Sequence, residues 1–160
     1  MIKVDVTTQM QLKTNKAFDL YNINSARHLN RVANHFRNQI TKAMQKSTGG
    51  NVYIVTKSGK THQASIRGNP PAVNTGRLVN SFFVKPASPT RLSSSLETNV
   101  SYAKFLEDEM NLDRPFMSER SIPFKNTKNY ANRIAKDISL NVSKIWVFMV
   151  LIYRQYFIQR

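Results

Sequence analysis

Only a few residues in this chain have the types and spacing for chemistry. Glu107, Asp108 and Glu109 stand side by side, as paired carboxylates in an acid–base site would. No histidine cluster and no partner nucleophile accompanies them, so an exposed acidic turn is the better reading. His28 and His35 are seven apart and could share a helical face. No Asp, Glu or Cys lies near them on that helix to complete a metal site. The absence of cysteine removes disulfides and thiolate ligands altogether. Phosphate-binding glycine loops, the zinc-binding H-E-x-x-H pattern and a nucleophile elbow are all missing. The residues therefore predict neither an enzyme nor a bound cofactor or metal.

What remains is charge. The sequence carries 24 Lys and Arg against 9 Asp and Glu, a formal net charge of +15. The distribution is uneven. Residues 22–90 hold no acid, whereas Glu107, Asp108, Glu109 and Asp113 crowd into one short stretch. A basic body with one acidic loop points to a polyanion or to acidic neighbours in an assembly. The candidate contacts are Arg27, Arg31, Arg37, Lys42, Lys46, Arg67 and Arg77. The competing reading is a solvated basic surface.

The elements that would position these side chains follow from periodicity. Ile2, Val4 and Val6 alternate as in a short strand, and Thr7 to Tyr21 reads as a loop or extended arm. From about Ser25 to Lys46 apolar residues recur at Leu29, Val32, Ala33, Phe36, Ile40, Ala43 and Met44, a helical face that ends at Gly49-Gly50. Val52 to Thr56 predicts a strand, Lys57 to Lys60 a turn, and a return strand runs toward Ala64. Leu78 to Lys85 and Leu92 to Val100 predict an antiparallel pair. Tyr102 to Glu107 predicts one helical turn with Tyr102, Phe105 and Leu106 toward the core. A second long helix starts near Thr127.

Its end, Ile145 to Ile152, is apolar all round, which predicts burial in the core or under a neighbouring subunit. That run is shorter than the about 20 residues needed to span a bilayer, and MIKVDVTTQM lacks a signal-peptide core, so no membrane association is expected. The predicted fold is α+β: a small, mainly antiparallel sheet, a long N-terminal helix packed on it, and a C-terminal helix. One domain over 1–160 is expected, with an arm at 1–21 and an apolar extension at 140–160.

Between His62 and Ser81 lies HQASIRGNPPAVNTGRLVNS, where Pro70 and Pro71 fix φ while Gly68 and Gly76 permit positive φ. Such a segment holds a defined shape outside any helix or sheet. Asn74-Thr75-Gly76 is its turn signal. Three patterns occur in order: H-x-A-S-x-x-G-x-P-P-A-x-x-T-G-x-L-x-x-S, then Y-A-x-F-L-E from Tyr102, then R-P-F-M at Arg114, Pro115, Phe116 and Met117. Together they resemble the head–tail joining (neck, or tail-completion) proteins of long-tailed double-stranded DNA phages, from about Ala26 to about Arg133. The chain departs from the pattern at Arg67, where a proline is common, at Asn74, where an aspartate is usual, and at Asp108, where a glycine usually follows the glutamate.

The resemblance implies a structural virion protein, located in the virion neck and assembled in the host cytoplasm. It implies a closed homo-oligomeric ring of six or twelve copies around the DNA channel. Portal, connector or stopper proteins would lie on the head side, tail terminator or tail-tube proteins on the tail side, and double-stranded DNA in the lumen. It also suggests an inter-subunit role for Gly68, Pro70, Pro71, Asn74, Thr75 and Gly76, and an anchoring role for Tyr102, Phe105, Arg114, Pro115, Phe116 and Met117. The alternative function is a sequence-independent nucleic-acid-binding protein, driven by phosphate contacts alone.

Overall fold

The computed structural model describes residues 6–55 and 59–158. It begins with α1, Val6–Lys46, a 41-residue helix. The expected arm over 7–21 is therefore helical from Val6 onward. Thr7 to Tyr21 lacks an apolar stripe, which is why periodicity misses it, but it also lacks Gly and Pro. Once a helix is nucleated, extension by residues such as Gln9, Leu12, Lys13 and Ala17 costs little. The strand expected over Met1–Val6 falls on residues outside those described, apart from Val6 itself, which opens α1.

The C-terminal half of α1 supplies one wall of the core through Ala26, Ala33, Ile40 and Met44, spaced for one face. Phe36, on the same side, meets Phe124 edge-on at 6.0 Å. After Lys46 the chain forms β1, Gly49–Ile54, and β2, Thr61–Ser65, paired antiparallel with Ile54 opposite Thr61. A second ribbon follows, β3, Phe82–Lys85, and β4, Ser95–Thr98, with Phe82 opposite Thr98 and Lys85 opposite Ser95. The fold is α+β, and among the described residues four strands form two separate antiparallel ribbons.

β3 starts four residues later than the expected strand over Leu78–Lys85. Residues 77–80 instead form a turn, in which the Asn80 amide donates to the Gly76 carbonyl at 3.0 Å. This tight turn aims Leu78 into the core. The buried cluster comprises Ile40, Met44, Leu78, Phe82, Val100, Ala103 and Phe116. Its centre is Phe116, with 0 % exposure and an edge-on contact to Phe82 at 5.8 Å. Asn30 fastens α1 to the second ribbon: its side-chain amide donates to the Ala87 carbonyl at 3.0 Å, and its oxygen accepts the Ala87 amide at 2.7 Å. A side-chain amide here replaces a missing strand neighbour.

A single turn, α2, Ala103–Glu107, and a long helix, α3, Ile122–Ile158, complete the described chain. The contacts divide it into two units, Met1–Thr127 and Lys128–Arg160, with the division inside α3. The second unit is the continuing helix, where Arg133 lies over the Tyr130 ring at 5.9 Å. The side chains of Ile145–Ile152, expected to be buried, lie outside those described. Among the described residues no helix is long and apolar enough to cross a membrane.

Candidate functional site

The three sequence patterns, far apart along the chain, meet in one place. Arg114 is drawn toward the end of β2, where its guanidinium donates to both the backbone carbonyl and the hydroxyl of Ser65. The Arg114 backbone amide donates to the Leu106 carbonyl at 2.6 Å, and the Pro115 that follows it is buried. Glu107 closes the set: its Oε1 accepts the backbone amides of Phe116, at 2.8 Å, and Met117. Those amides lie outside any helix or strand, and the carboxylate satisfies both. Glu107 is thus a structural acceptor rather than part of an exposed acidic turn.

Asp113 is the second junction. It is the one non-glycine residue with positive φ among those described, at 47°. Asp tolerates this left-handed geometry better than most side chains. Its carbonyl accepts the Gly68 amide at 2.6 Å, and its own amide donates to the Asp108 carbonyl at 2.9 Å. Its carboxylate pairs with Arg120 and, at 3.4 Å, with Arg67. The hydrogen bond from Arg120 is the main cause holding the Asp113 carboxyl below its ordinary range, with Arg67 adding to it. Arg120 also bridges to Glu109 at 2.9 Å. Two of the four acids in this stretch, Glu109 and Asp113, are thus ion-paired, to Arg67 and Arg120.

A depressed folded-state pKa contributes stability above the unfolded value, about 3.9 for Asp, and loses it as pH falls through the folded value. Wild-type protein is therefore expected to lose part of its stability on acidification below about pH 4, and Asp113→Asn, which keeps the tolerance for positive φ, to lose less. Urea midpoints measured between pH 2 and 7 check this; parallel profiles would contradict it.

The proline loop is pinned rather than projecting. Pro70 and Pro71 are buried, and the Pro70 carbonyl accepts the Ser47 hydroxyl at the end of α1. Gly68 and Gly76 both adopt the positive φ expected of them, 86° and 78°. Gly68, Asn69, Asn74 and Thr75 are the exposed residues of the loop from Gly68 to Gly76. An open groove of about 260 Å³ runs between this loop and α2, lined by Met44, Pro71, Val73, Leu78, Tyr102 and Leu106 among others. No carboxylate or histidine lines it.

Of the expected anchor, Phe116 and Met117 pack into or against the core, whereas Tyr102 and Phe105 do not. Tyr102 is 38 % and Phe105 50 % exposed, because the short α2 turns Ala103 inward instead. Phe105 lies under the Lys104 ammonium at 5.0 Å.

The seven candidate bases separate into groups. Arg67 is committed to Asp113 and to the Glu109 carbonyl. Arg77 is exposed on the turn before β3, and Arg37 on a flank of α1. Arg27, Arg31, Lys42 and Lys46 are exposed along α1, on the side away from Ala33 and Ile40 by helical spacing. Sequence reasoning missed Ser65, Glu107 and Asp113 as junctions; the only available signal was that the first two fall inside the quoted patterns.

Among the described residues no group of three or more His, Asp or Glu could hold a metal. No family model matches the chain, and searches of curated proteins and of solved structures likewise return no match.

Proposed function

We propose that this chain is a structural virion protein of a long-tailed phage, a ring-forming neck or tail-completion subunit joining the DNA-filled head to the tail. One observation carries the reading. The residues that give the sequence its resemblance, Ser65, Gly68, Glu107, Arg114, Phe116 and Met117, lie in separate segments yet belong to one hydrogen-bonded clasp and the core beside it. Patterns that matched by accident would have no reason to be mutually dependent in space. The clasp is structural in character, which suits a subunit whose work is to hold shape.

The first ribbon favours assembly with like subunits. Val52 and Ile54 are 61 % and 75 % exposed, and Tyr53, on the opposite face, 54 %. A lone two-stranded ribbon with apolar side chains open on both faces is marginal in water and gains from being covered. In this reading the adjoining partners are other copies of the chain, a portal or connector ring, and a tail terminator or tube, with the genome in the lumen. Assembly takes place in the host cytoplasm.

Electron microscopy of the purified protein, or of the particle containing it, tests this. The expected image is a closed ring, of six or twelve copies, because head-to-tail interfaces that close generate rings. A particle reconstruction in which the chain occurs as an isolated copy would remove the proposal. A monomer that binds DNA tightly and never assembles would favour a free nucleic-acid-binding protein, for which the basic face of α1 is the supporting feature.

A further inference from the structure

We propose that the outer stripe of α1, carrying Arg27, Arg31, Lys42 and Lys46, is a sequence-independent track for the phosphate backbone of duplex DNA. At 100° per residue Arg27, Arg31 and Lys42 fall within about 60° of one another, with Lys46 at the margin. Asn24, Asn34, Asn38 and Gln45 fill the places between them. The core-facing residues Ala26, Ala33, Ile40 and Met44 lie on the opposite side of the cylinder. From Arg27 to Lys46 the stripe runs for about 28 Å on a rigid helix. No acid occurs in residues 22–90, so nothing on or next to the stripe in sequence neutralises it. Among the described residues the salt bridges use Arg67, Lys85 and Arg120, and none of the four stripe bases.

The stripe's chemistry selects its occupant. A protein partner requires an apolar centre in its interface, and lysine is depleted there. A membrane surface requires apolar residues beside the charges to enter the lipid. From Asn24 to Lys46 the stripe holds Arg, Lys, Asn and Gln, with the half-buried His28 and His35 along its Lys46 edge and no apolar side chain. Those are the side chains that contact phosphate, and arginine does so with a paired fork. A straight array of fixed charges suits a stiff, uniformly charged rod, and with no base-reading element the contact ignores sequence. The proposal deepens the neck reading by assigning the face turned to the DNA, but the binding itself does not depend on a ring.

The test uses the full chain and fluorescently labelled 30-base-pair duplexes of two unrelated sequences, read by anisotropy from 50 to 300 mM salt. Both duplexes should bind equally, with a log–log salt slope of about −3 to −4 for four contacts. Arg27→Gln, Arg31→Gln and Lys42→Gln together should weaken binding at 100 mM salt by on the order of tenfold or more and remove most of that slope. Glutamine is a good helix former on an exposed face, and circular dichroism would verify the fold. A control of equal charge change, Lys128→Gln, Arg133→Gln and Lys136→Gln, should alter affinity far less. Equal losses in the two triple variants would mean that net charge alone drives binding and would overturn the assignment. So would displacement by polyglutamate as effective as by unlabelled duplex, which marks an acidic-protein face, or no duplex binding at 50 mM salt. Retained duplex binding by a chain that occurs in the particle as an isolated copy would sink the neck reading while leaving the track intact.

Discussion

Phe116→Ala is expected to destabilise the first unit by about 3–5 kcal/mol, the range for removing a large aromatic from a packed interior. The ring has 0 % exposure and meets Phe82 edge-on at 5.8 Å. It also stands where Ile40 and Met44 of α1, Leu78 of the turn and Val100 after β4 converge. Alanine would leave a cavity that several elements border and none can fill alone. Against a total of about 5–15 kcal/mol for a domain, that loss would take a large share of the stability. Urea unfolding followed by tryptophan-independent far-ultraviolet dichroism measures it. Phe116→Leu should lose less, and Met110→Ala, at a site 94 % exposed, should stay within about 0.5 kcal/mol of wild type. A Phe116→Ala midpoint equal to that of Met110→Ala would refute this account of the core.

Glu107→Ala should come next, at about 2–4 kcal/mol. The substitution strips the acceptor from two backbone amides at once, those of Phe116 and Met117. Each hydrogen bond to a charged group is worth about 1.5–3 kcal/mol, and a stranded buried amide adds its own desolvation penalty. Glu107→Gln should recover most of the loss, since one oxygen, Oε1, accepts both amides and the Gln carbonyl can take its place. If Gln is as damaging as Ala, the carboxylate acts through its charge on Arg120 or Arg114 rather than through the amides. Hydrogen exchange at the two amides separates these outcomes, with faster exchange in Glu107→Ala required by the present account.

The sequence made the helical and strand segments legible wherever burial is periodic. Ile40 and Met44 announce the packed half of α1, and β-branched and aromatic residues announce β1 and β3. The N-terminal half of α1 stayed illegible because a helix extending past its packing face leaves no apolar stripe. Leu78 misled for the opposite reason: an apolar run beside Phe82 reads as strand, but a turn can bury the same residue. Tyr102 and Phe105 read as inward-facing because they are aromatic, whereas the short α2 turns Ala103 and Leu106 to the core instead. The basic stripe on α1 was visible from spacing once the helix was known. The junctions at Glu107 and Asp113 were not, since their partners lie at Arg67, Arg120 and two backbone amides that only the folded chain brings near.

The clasp also sets an order of events in time. Arg114 and Ser65 are separated by 49 residues, whereas Ile54 and Thr61 close the first ribbon across a short turn. Closing the longer loop requires nearly three more doublings of length, about 1.7 kcal/mol of extra chain entropy. On the ribosome, at about 5–20 residues per second, several seconds pass between the emergence of Ser65 and that of Arg114. During that interval α1 and the first ribbon can form, and the second ribbon once Thr98 has emerged, but Phe116 is still missing and the Ser65 carbonyl awaits its guanidinium. The nascent chain therefore carries a half-built core, open at Ile40, Met44 and Phe82, with the apolar ribbon of Val52 and Ile54 already exposed. Premature association between neighbouring nascent chains is the hazard, and the last third of the sequence decides when it ends.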